Sequence, residues 1–363
     1  ELCLQAVKAE RTMHKRRGSI LPISNELSPL PINVVCTYSA REIWELNEVP
    51  FAYVQWDVGK VFEIRSLQSF FKTRELIWLV KNPTELSNWW DRAQHSSLLT
   101  LDIETHNEFI TCISFSHDGH EAISIPLLIG NALDGFSQGI IYQFLDKILR
   151  SSIPKVGQNI DYDMSILENW GFKINNVVGD TMLMQQTIYP ELPRGLDFLT
   201  SIYTNYPYYK DEGKEFDPKI HSADVLLKYN AKDSLVDWEI WDKQQQDAQT
   251  QGVKKFYFDN VMPAFFTFRK ISQRGILIDD TERLKLLDKY RPLLEENCTI
   301  INLVAGEQIN PNSPTQVGRF VYEILKCPKH ATMSETGKHA YDTGEDTIEE
   351  LYINEVTDTG IKE

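Results

Sequence analysis

Two carboxylates one residue apart, Asp102 and Glu104, close the apolar run LLTLDIE. On a strand alternate residues share a face, so both acids point one way while Leu99, Leu101 and Ile103 point the other. Like charges this close repel unless a cation lies between them, and hard oxygen ligands suit Mg²⁺ or Mn²⁺. Alone, such a pair also reads as two solvent-facing edge residues, because short motifs match by chance. Two later clusters shift the weight. NIDYD carries Asn159 and Asp163 at a strand-to-helix junction, and YNAKD places Tyr229 and Asp233 one helical turn apart. A phenol beside a carboxylate can give one metal ligand and one hydroxyl that orients a water. A pair of divalent ions in such a setting stabilises both the attacking and the leaving oxygen of phosphoryl transfer.

To hold those acids, the chain must build a sheet and a helix that meet. PTELSNWWDRAQ reads as a helix capped at Thr84, and LLTLDIE, TCISFSHDG and HEAISIPL read as three antiparallel strands. GFSQGIIYQFLDKILRS follows as an amphipathic helix, and VGQNIDYDMSILENWGF as a short strand running into a helix that stops at Gly171. Strands, helix, strand and helix in that order form the ribonuclease H-like pattern: an α/β fold with a mixed sheet and flanking helices. DTMLMQQTIY, LDFLTSIYTNY and ADVLLKYNAKDSLVDWEIWDKQQQDAQ read as helices, with Asp180 as the cap of the first.

Ahead of this block, Lys8, Arg11, Lys15, Arg16 and Arg17 mark a basic helix or tail that leads into a turn-rich linker. A solvated tail is the plain reading and DNA contact the sharper one. INVVCTY, FAYVQWDV and KVFEI then cluster β-formers around the helical patches ARE and SLQSFFKTRE, as in a small α+β accessory unit. Beyond the block lies a helical region in which Gly275 ends one helix and Asp280 with Thr281 starts the next. The expected domains are 1–83, 84–250 and 251–363.

Composition sets the bounds. The chain has 363 residues, 42% hydrophobic and 25% charged, which is ordinary globular usage and length for two or three domains. Its net charge of −15 argues against a positive coat for nucleic acid. It leaves room for a nucleic-acid enzyme, whose ligand carboxylates add negative charge. Cys3, Cys36, Cys112, Cys298 and Cys327 form no CxxC pair, so neither a zinc site nor a disulfide framework is indicated. No run approaches the roughly 20 apolar residues of a membrane span, and no signal-peptide apolar region stands near the start. The expectation is an intracellular, cytoplasmic protein with no membrane partner.

In order along the chain, LDIET, QNIDYD and YNAKD resemble the three exonuclease motifs of the proofreading 3′-5′ exonuclease of family A DNA polymerases. The resemblance implies two divalent ions, Mg²⁺ or Mn²⁺, held by Asp102, Glu104, Asp163 and Asp233, with Tyr229 positioning the nucleophilic water. It implies that Gln158 and Asn159 contact the terminal nucleotide and that Arg194 meets a phosphate. PYYKDEGK resembles phage-type members, and its Tyr209 is expected either to stack a base or meet phosphate, or to pack within its loop. QRGILID, NPNSPTQVGRFVYEIL and TGKHAYDTGEDTIEEL resemble the start of the polymerase module, the early thumb. Palm and fingers motifs are absent, so this chain alone is not expected to polymerise.

The implied function is removal of 3′-terminal nucleotides, as monophosphates, from a single-stranded DNA end or primer terminus. An exoribonuclease of the same superfamily and a non-catalytic subunit that grips a DNA end or a polymerase are the alternatives. The chain itself reads as a fragment, a truncated product, or one subunit whose partner chain carries palm and fingers.

Overall fold

The computed structural model describes residues 16–22, 33–39, 51–63, 76–129, 135–214, 216–217, 219–327, 331–333 and 339–351. Lys8, Arg11 and Lys15, most of the linker, and the expected helical patches ARE and SLQSFFKTRE lie outside these residues. Two short strands, β1 (Ile20–Pro22) and β2 (Asn33–Val35), pair antiparallel ahead of helix α1 (Phe51–Glu63). FAYVQWDV and KVFE therefore form a helix, not the expected strands. Tyr53 and Val54 pack near Cys36 and Tyr38, while Asp57 and Lys60 are buried further along. Inward positions three to four apart are helical spacing, and this packing overrides the β-propensity of Val, Phe and Tyr.

The central sheet contains β3 (Leu76–Leu79), β4 (Leu99–His106), β5 (Phe109–Ser116), β6 (Glu121–Pro126), β7 (Lys155–Gly157) and β8 (Val177–Asp180). Helix α2 (Pro83–Ala93) precedes β4, and α3 (Gly135–Arg150) and α4 (Ile160–Asn169) flank β7 in sequence. The spatial order is β3-β6-β5-β4-β7-β8, with β5 antiparallel to its neighbours and the other pairs parallel. This is the ribonuclease H-like arrangement expected from the order of elements. Edge strand β3 belongs to the sheet although it precedes residue 84. α2 is capped by Asn82, two residues before the expected Thr84: its side-chain oxygen accepts from Thr84 N and Glu85 N, and Pro83 opens the first turn.

The sheet has two unlike faces. Leu99, Leu101, Ile103, Ile113, Phe115, Ile123 and Ile125 form one core with Trp89 and Trp90 of α2 and Ile141, Leu145 and Ile148 of α3. On alternate positions stand Thr100, Ser114, Ser116, Ala122 and Ser124, all fully buried. Small side chains let a helix lie close, and the long helix that does so follows α5 (Thr181–Ile188), α6 (Leu196–Tyr203) and the short α7 (Asp211–Lys214). It is α8 (Ala223–Thr250). Thr100 Oγ1 donates to Ser234 O at 2.6 Å and Ser114 Oγ to Asn230 O at 2.7 Å, so hydroxyls of the strands fasten main-chain carbonyls of α8.

After α8, α9 (Lys254–Phe256), a π-helical turn (Tyr257–Val261) and α10 (Met262–Arg274), but for its last residue, complete the first of two compact units, residues 1–273. The Tyr257 hydroxyl donates to Asp180 O at 3.1 Å and accepts from Asp180 N at 2.8 Å, so this unit extends beyond the expected limit at residue 250. In the second unit, α11 (Asp280–Ala305) is capped by Asp279 and ends at Gly306, whose φ of 72° is left-handed. The helix starts at Asp280, as expected. α12 (Pro314–Gly318), a hairpin of β9 (Ala331–Met333) and β10 (His339–Tyr341), and α13 (Glu345–Glu350) follow. No helix among the described residues is long and apolar enough to cross a membrane.

Candidate metal centre

Alternation along β4 puts Thr100, Asp102 and Glu104 on the face that α8 covers. Asp102 pairs in register with Ser114 and Glu104 with Cys112, and the register slips between Glu104 and Thr105. Such an irregularity bends a strand and re-aims its side chains. From the other side, α8 presents Tyr229, Asn230 and Asp233, all buried. One carboxylate oxygen from each of Asp102, Glu104 and Asp233 lies within 4.8 Å of the others. Asp163, only 4% exposed at the start of α4, stands outside that group of three, and its Oδ1 accepts from Ile103 N at 2.9 Å.

Burial and neighbouring negative charge favour the protonated forms of Asp102, Glu104 and Asp163. Burial, then Asp233, Glu104 and Asp163, push the Asp102 carboxyl well above the usual range, with Lys210 opposing. Burial and Asp233 raise Glu104 to about 7, again against Lys210. Burial raises Asp163 as well, although main-chain donors pull it back. The acids meet limited compensation from protein: Asn230 Nδ2 donates to Asp102 Oδ2 at 2.7 Å, and Lys210 Nζ to Asp233 Oδ2 at 2.6 Å. Hard oxygen donors converging in a site short of positive charge fit a divalent cation.

Tyr229 lies against Lys210, whose Nζ is 4.8 Å from the ring centroid, and edge-on to Tyr209 at 5.9 Å. Gly213 permits this packing, because a Cβ there would fall 2.6 Å from the Tyr229 ring. Tyr209 is placed differently from a base-stacking residue. It is 5% exposed, and its hydroxyl donates to Asp233 Oδ1 at 2.6 Å, so the ring has no open face for a base. Gln158 Nε2 donates to Arg194 O at 2.8 Å, which brings these two together. Asn159 is exposed and left-handed, with φ 54°, immediately before α4, and the exposed Arg194 side chain donates to Gln186 Oε1 at 2.7 Å.

Several groups around the centre escaped the motif reading. Asp180 caps α5, as expected, through Met182 N and Leu183 N, and its carboxylate also accepts from Asn159 N and Ile160 N at the start of α4. Asp237, one turn beyond Asp233, is raised to about 8 chiefly by burial. Thr181 Oγ1 lies 2.6 Å from its Oδ1 and also contacts Gln158 Oε1. One hydroxyl proton serves only one acceptor, and a proton on Asp237 would satisfy the other contact. Asn230 carried a signal, since its neighbour Tyr229 was already singled out and helical geometry turns position 230 toward the strand. Asp237 and Thr181 carried none.

Comparison with known proteins agrees with the geometry. Residues 77–248 match the family model of the DNA polymerase A 3′-5′ exonuclease. The DNA polymerase I of Synechocystis sp. is 31% identical over 228 residues, 59% of this chain and 22% of that protein. The DNA polymerase I of Bacillus subtilis is 25% identical over 188 residues, 50% of this chain and 21% of that protein. Among solved structures, the polymerase domain of Pol1 from M. smegmatis, in complex with DNA primer-template and dNTP, is 18% identical with a TM-score of 0.47, covering 78% of this chain and 45% of that one. The aligned part of this chain spans about a fifth of the length of the two curated relatives. Residues 77–248 are a 3′-5′ exonuclease domain of the DNA polymerase I type.

Proposed function

We propose that this domain hydrolyses the terminal phosphodiester at a DNA 3′ end and releases nucleoside monophosphates, editing a primer terminus for a polymerase. The observation that carries the reading is the convergence of Asp102, Glu104 and Asp233 oxygens within 4.8 Å, next to Tyr229. Asp102, Glu104 and Asp233 would hold one Mg²⁺ or Mn²⁺, and Asp102 with Asp163 a second, together supplying the Lewis acidity that phosphodiester hydrolysis requires. The protein's own part is positional. The Tyr229 hydroxyl, with Glu104, orients the attacking water, and the buried walls around Asp102 and Asp163 keep the ligands' charges strong by excluding solvent. Gln158 and Asn159 receive the terminal nucleotide, and the exposed Arg194 guanidinium meets a backbone phosphate.

The polymerase context is part of the proposal. Residues 251–363 correspond to the start of a polymerase module, and palm and fingers would be supplied by further chain or by a second polypeptide. Labelled single-stranded DNA and a matched RNA strand, each incubated with the chain and Mg²⁺, test the reading. Monophosphates should appear from the DNA 3′ end, faster than from RNA, and disappear with an Asp102→Ala, Glu104→Ala double variant. Undiminished digestion by that variant would sink the assignment, and preference for RNA would make the domain an exoribonuclease.

A further inference from the structure

We propose that the N-terminal segment and α1 are part of the nuclease machinery: they hold the loop that presents Tyr209 and Lys210 to Asp233, with Lys60 and Ser19 as positioning residues. The inference rests on the exonuclease reading above for its effect on catalysis. Its mechanical part rests on contacts alone.

Both oxygens of Asp233 are taken by consecutive residues, Oδ1 by the Tyr209 hydroxyl and Oδ2 by Lys210 Nζ, each at 2.6 Å. These residues sit at the end of an irregular stretch, 204–210, between α6 and the four-residue α7. Irregular backbone has no ladder of its own, so the groups that satisfy it decide where it lies. Thr204 N, Tyr206 N and Tyr209 O find local partners, but the groups that hold Thr204 O, Tyr208 N and Tyr208 O come from far away in sequence. Lys60 Nζ donates to Ser201 O and Thr204 O, both at 2.6 Å, and to Gly18 O at 2.8 Å. Burial lowers Lys60 to about 7, and in its charged form one ammonium, its three protons all used, ties the exit of α6 to the N-terminal segment. Arg17 adds Nη2 to Ser201 Oγ at 2.9 Å while its Nη1 pairs with Asp57 Oδ1 at 3.1 Å.

The grip reaches the residue before Tyr209. Tyr208 N donates to Ser19 Oγ at 3.1 Å, and Tyr208 O accepts from Arg16 Nη1 at 3.3 Å. Gly18 allows the approach: its φ is +69°, and a Cβ there would lie 2.3 Å from Ser201 O. Arg17, Asp57 and Lys60 are all at most 5% exposed, so two cations have been taken out of water to make this junction. Such burial is costly unless every proton finds an acceptor in a fixed place. A solvated tail would need none of it. The chain of contacts runs from Lys60 and Ser19 through the backbone at 204 and 208 to Tyr209, Lys210 and the Asp233 carboxylate.

The test uses the full chain with Lys60→Met, Ser19→Ala, Lys210→Met and the double variant Lys60→Met/Lys210→Met. Single-stranded DNA digestion gives kcat and KM, and backbone hydrogen exchange maps the loop. Lys60→Met should lower kcat at least tenfold with KM changed less than twofold, and Ser19→Ala about threefold. Lys210→Met should lose at least tenfold, and the double variant should be no worse than Lys210→Met, since both act through one loop. Exchange at 204–212 should accelerate at least tenfold in Lys60→Met while the β4 and β5 amides keep their protection. Additive losses in the double variant, full kcat in Lys60→Met or Lys210→Met, or exchange that accelerates across the whole sheet would overturn the proposal. Ser19→Ala removes a single acceptor and keeps the test decisive should Lys60→Met fail to fold. If the wild-type chain cuts no DNA, the exonuclease reading fails, and the exchange measurement still decides whether this clamp holds the loop.

Discussion

Helices α8 and α11 are nearly the same length, 28 and 26 residues, and opposite in burial. α8 buries fourteen residues, among them Asn230, Asp233, Ser234, Asp237 and Gln244. α11 buries none, and Leu284, Leu286, Leu287, Leu293 and Leu294 along it are exposed. Polar side chains inside and leucines outside reverse the common rule, for two different reasons. On α8 the inner face mixes an apolar majority with polar groups that are tied locally: Ser234 to a strand hydroxyl, Asn230 to Asp102, and Asp233 to Tyr209 and Lys210. On α11 the caps at Asp279 and Gly306 define a helix whose ends are satisfied and whose side chains are exposed up to Thr299 except for partial cover at Cys298, with further partial cover at Ile301, Asn302 and Ala305. Capping alone sets where a helix begins and ends; packing sets what it can do.

The contrast can be broken at four points. Asp233→Asn on α8 should reduce DNA digestion by about 10³-fold or more, because a metal ligand and the partner of Lys210 are weakened together. Retained activity with an unchanged circular dichroism spectrum would remove α8 from the reaction. Leu235→Ala, at a buried position of α8 packed near Ala122, should destabilise the first unit by about 2–5 kcal/mol in denaturant unfolding. A cost below about 1 kcal/mol would mean that the helix is held by its polar contacts instead.

Third comes pH, in a chelator. Folded Glu104 titrates at about 7 against an ordinary value of 4.5, so its stabilising proton is fully present below pH 4.5 and lost as pH rises through about 7. Raised Asp102, Asp163 and Asp237 act in the same sense. Stability should therefore fall by roughly 1–3 kcal/mol across this range. Saturating Mg²⁺ should cancel most of the fall, since cations replace the protons. A melting temperature that rises with pH in chelator would contradict the packed-acid geometry. The smallest effect is expected on α11, where Leu286→Ala should change stability by less than about 0.5 kcal/mol. A large loss there would show that its leucines are covered in solution.

What the sequence revealed followed the range of the interactions. Strand alternation identified the shared face of Asp102 and Glu104, and the helical turn in YNAKD joined Tyr229 to Asp233, because both patterns are local. The hairpin order β4-β5-β6 was readable for the same reason. The Asn230 to Asp102 bond spans 128 positions and Ile103 to Asp163 spans 60, and no periodicity records such contacts. β8, four residues long and buried between a helix and a turn, was too short to show a period. FAYVQWDV misled because its β-forming residues line a helix whose buried positions hold Asp57 and Lys60. Tyr209 takes the packed alternative of the two that the sequence left open, its hydroxyl drawn inward by Asp233, a residue 24 positions away that the loop sequence does not reveal.

The double duty of Asp180 bears on how a polyanion could be gripped here. The first N–H groups of a helix, backed by its dipole, commonly serve as a receptor for phosphate. At α4 and α5 those groups point at one internal carboxylate instead. The protein has filled its own main-chain anion receptors, which leaves the nearby surface to side chains and dissolved cations. On the proposed reading, hold on the strand is then an ionic-strength-dependent quantity, set by Arg194 and by mobile ions more than by rigid backbone.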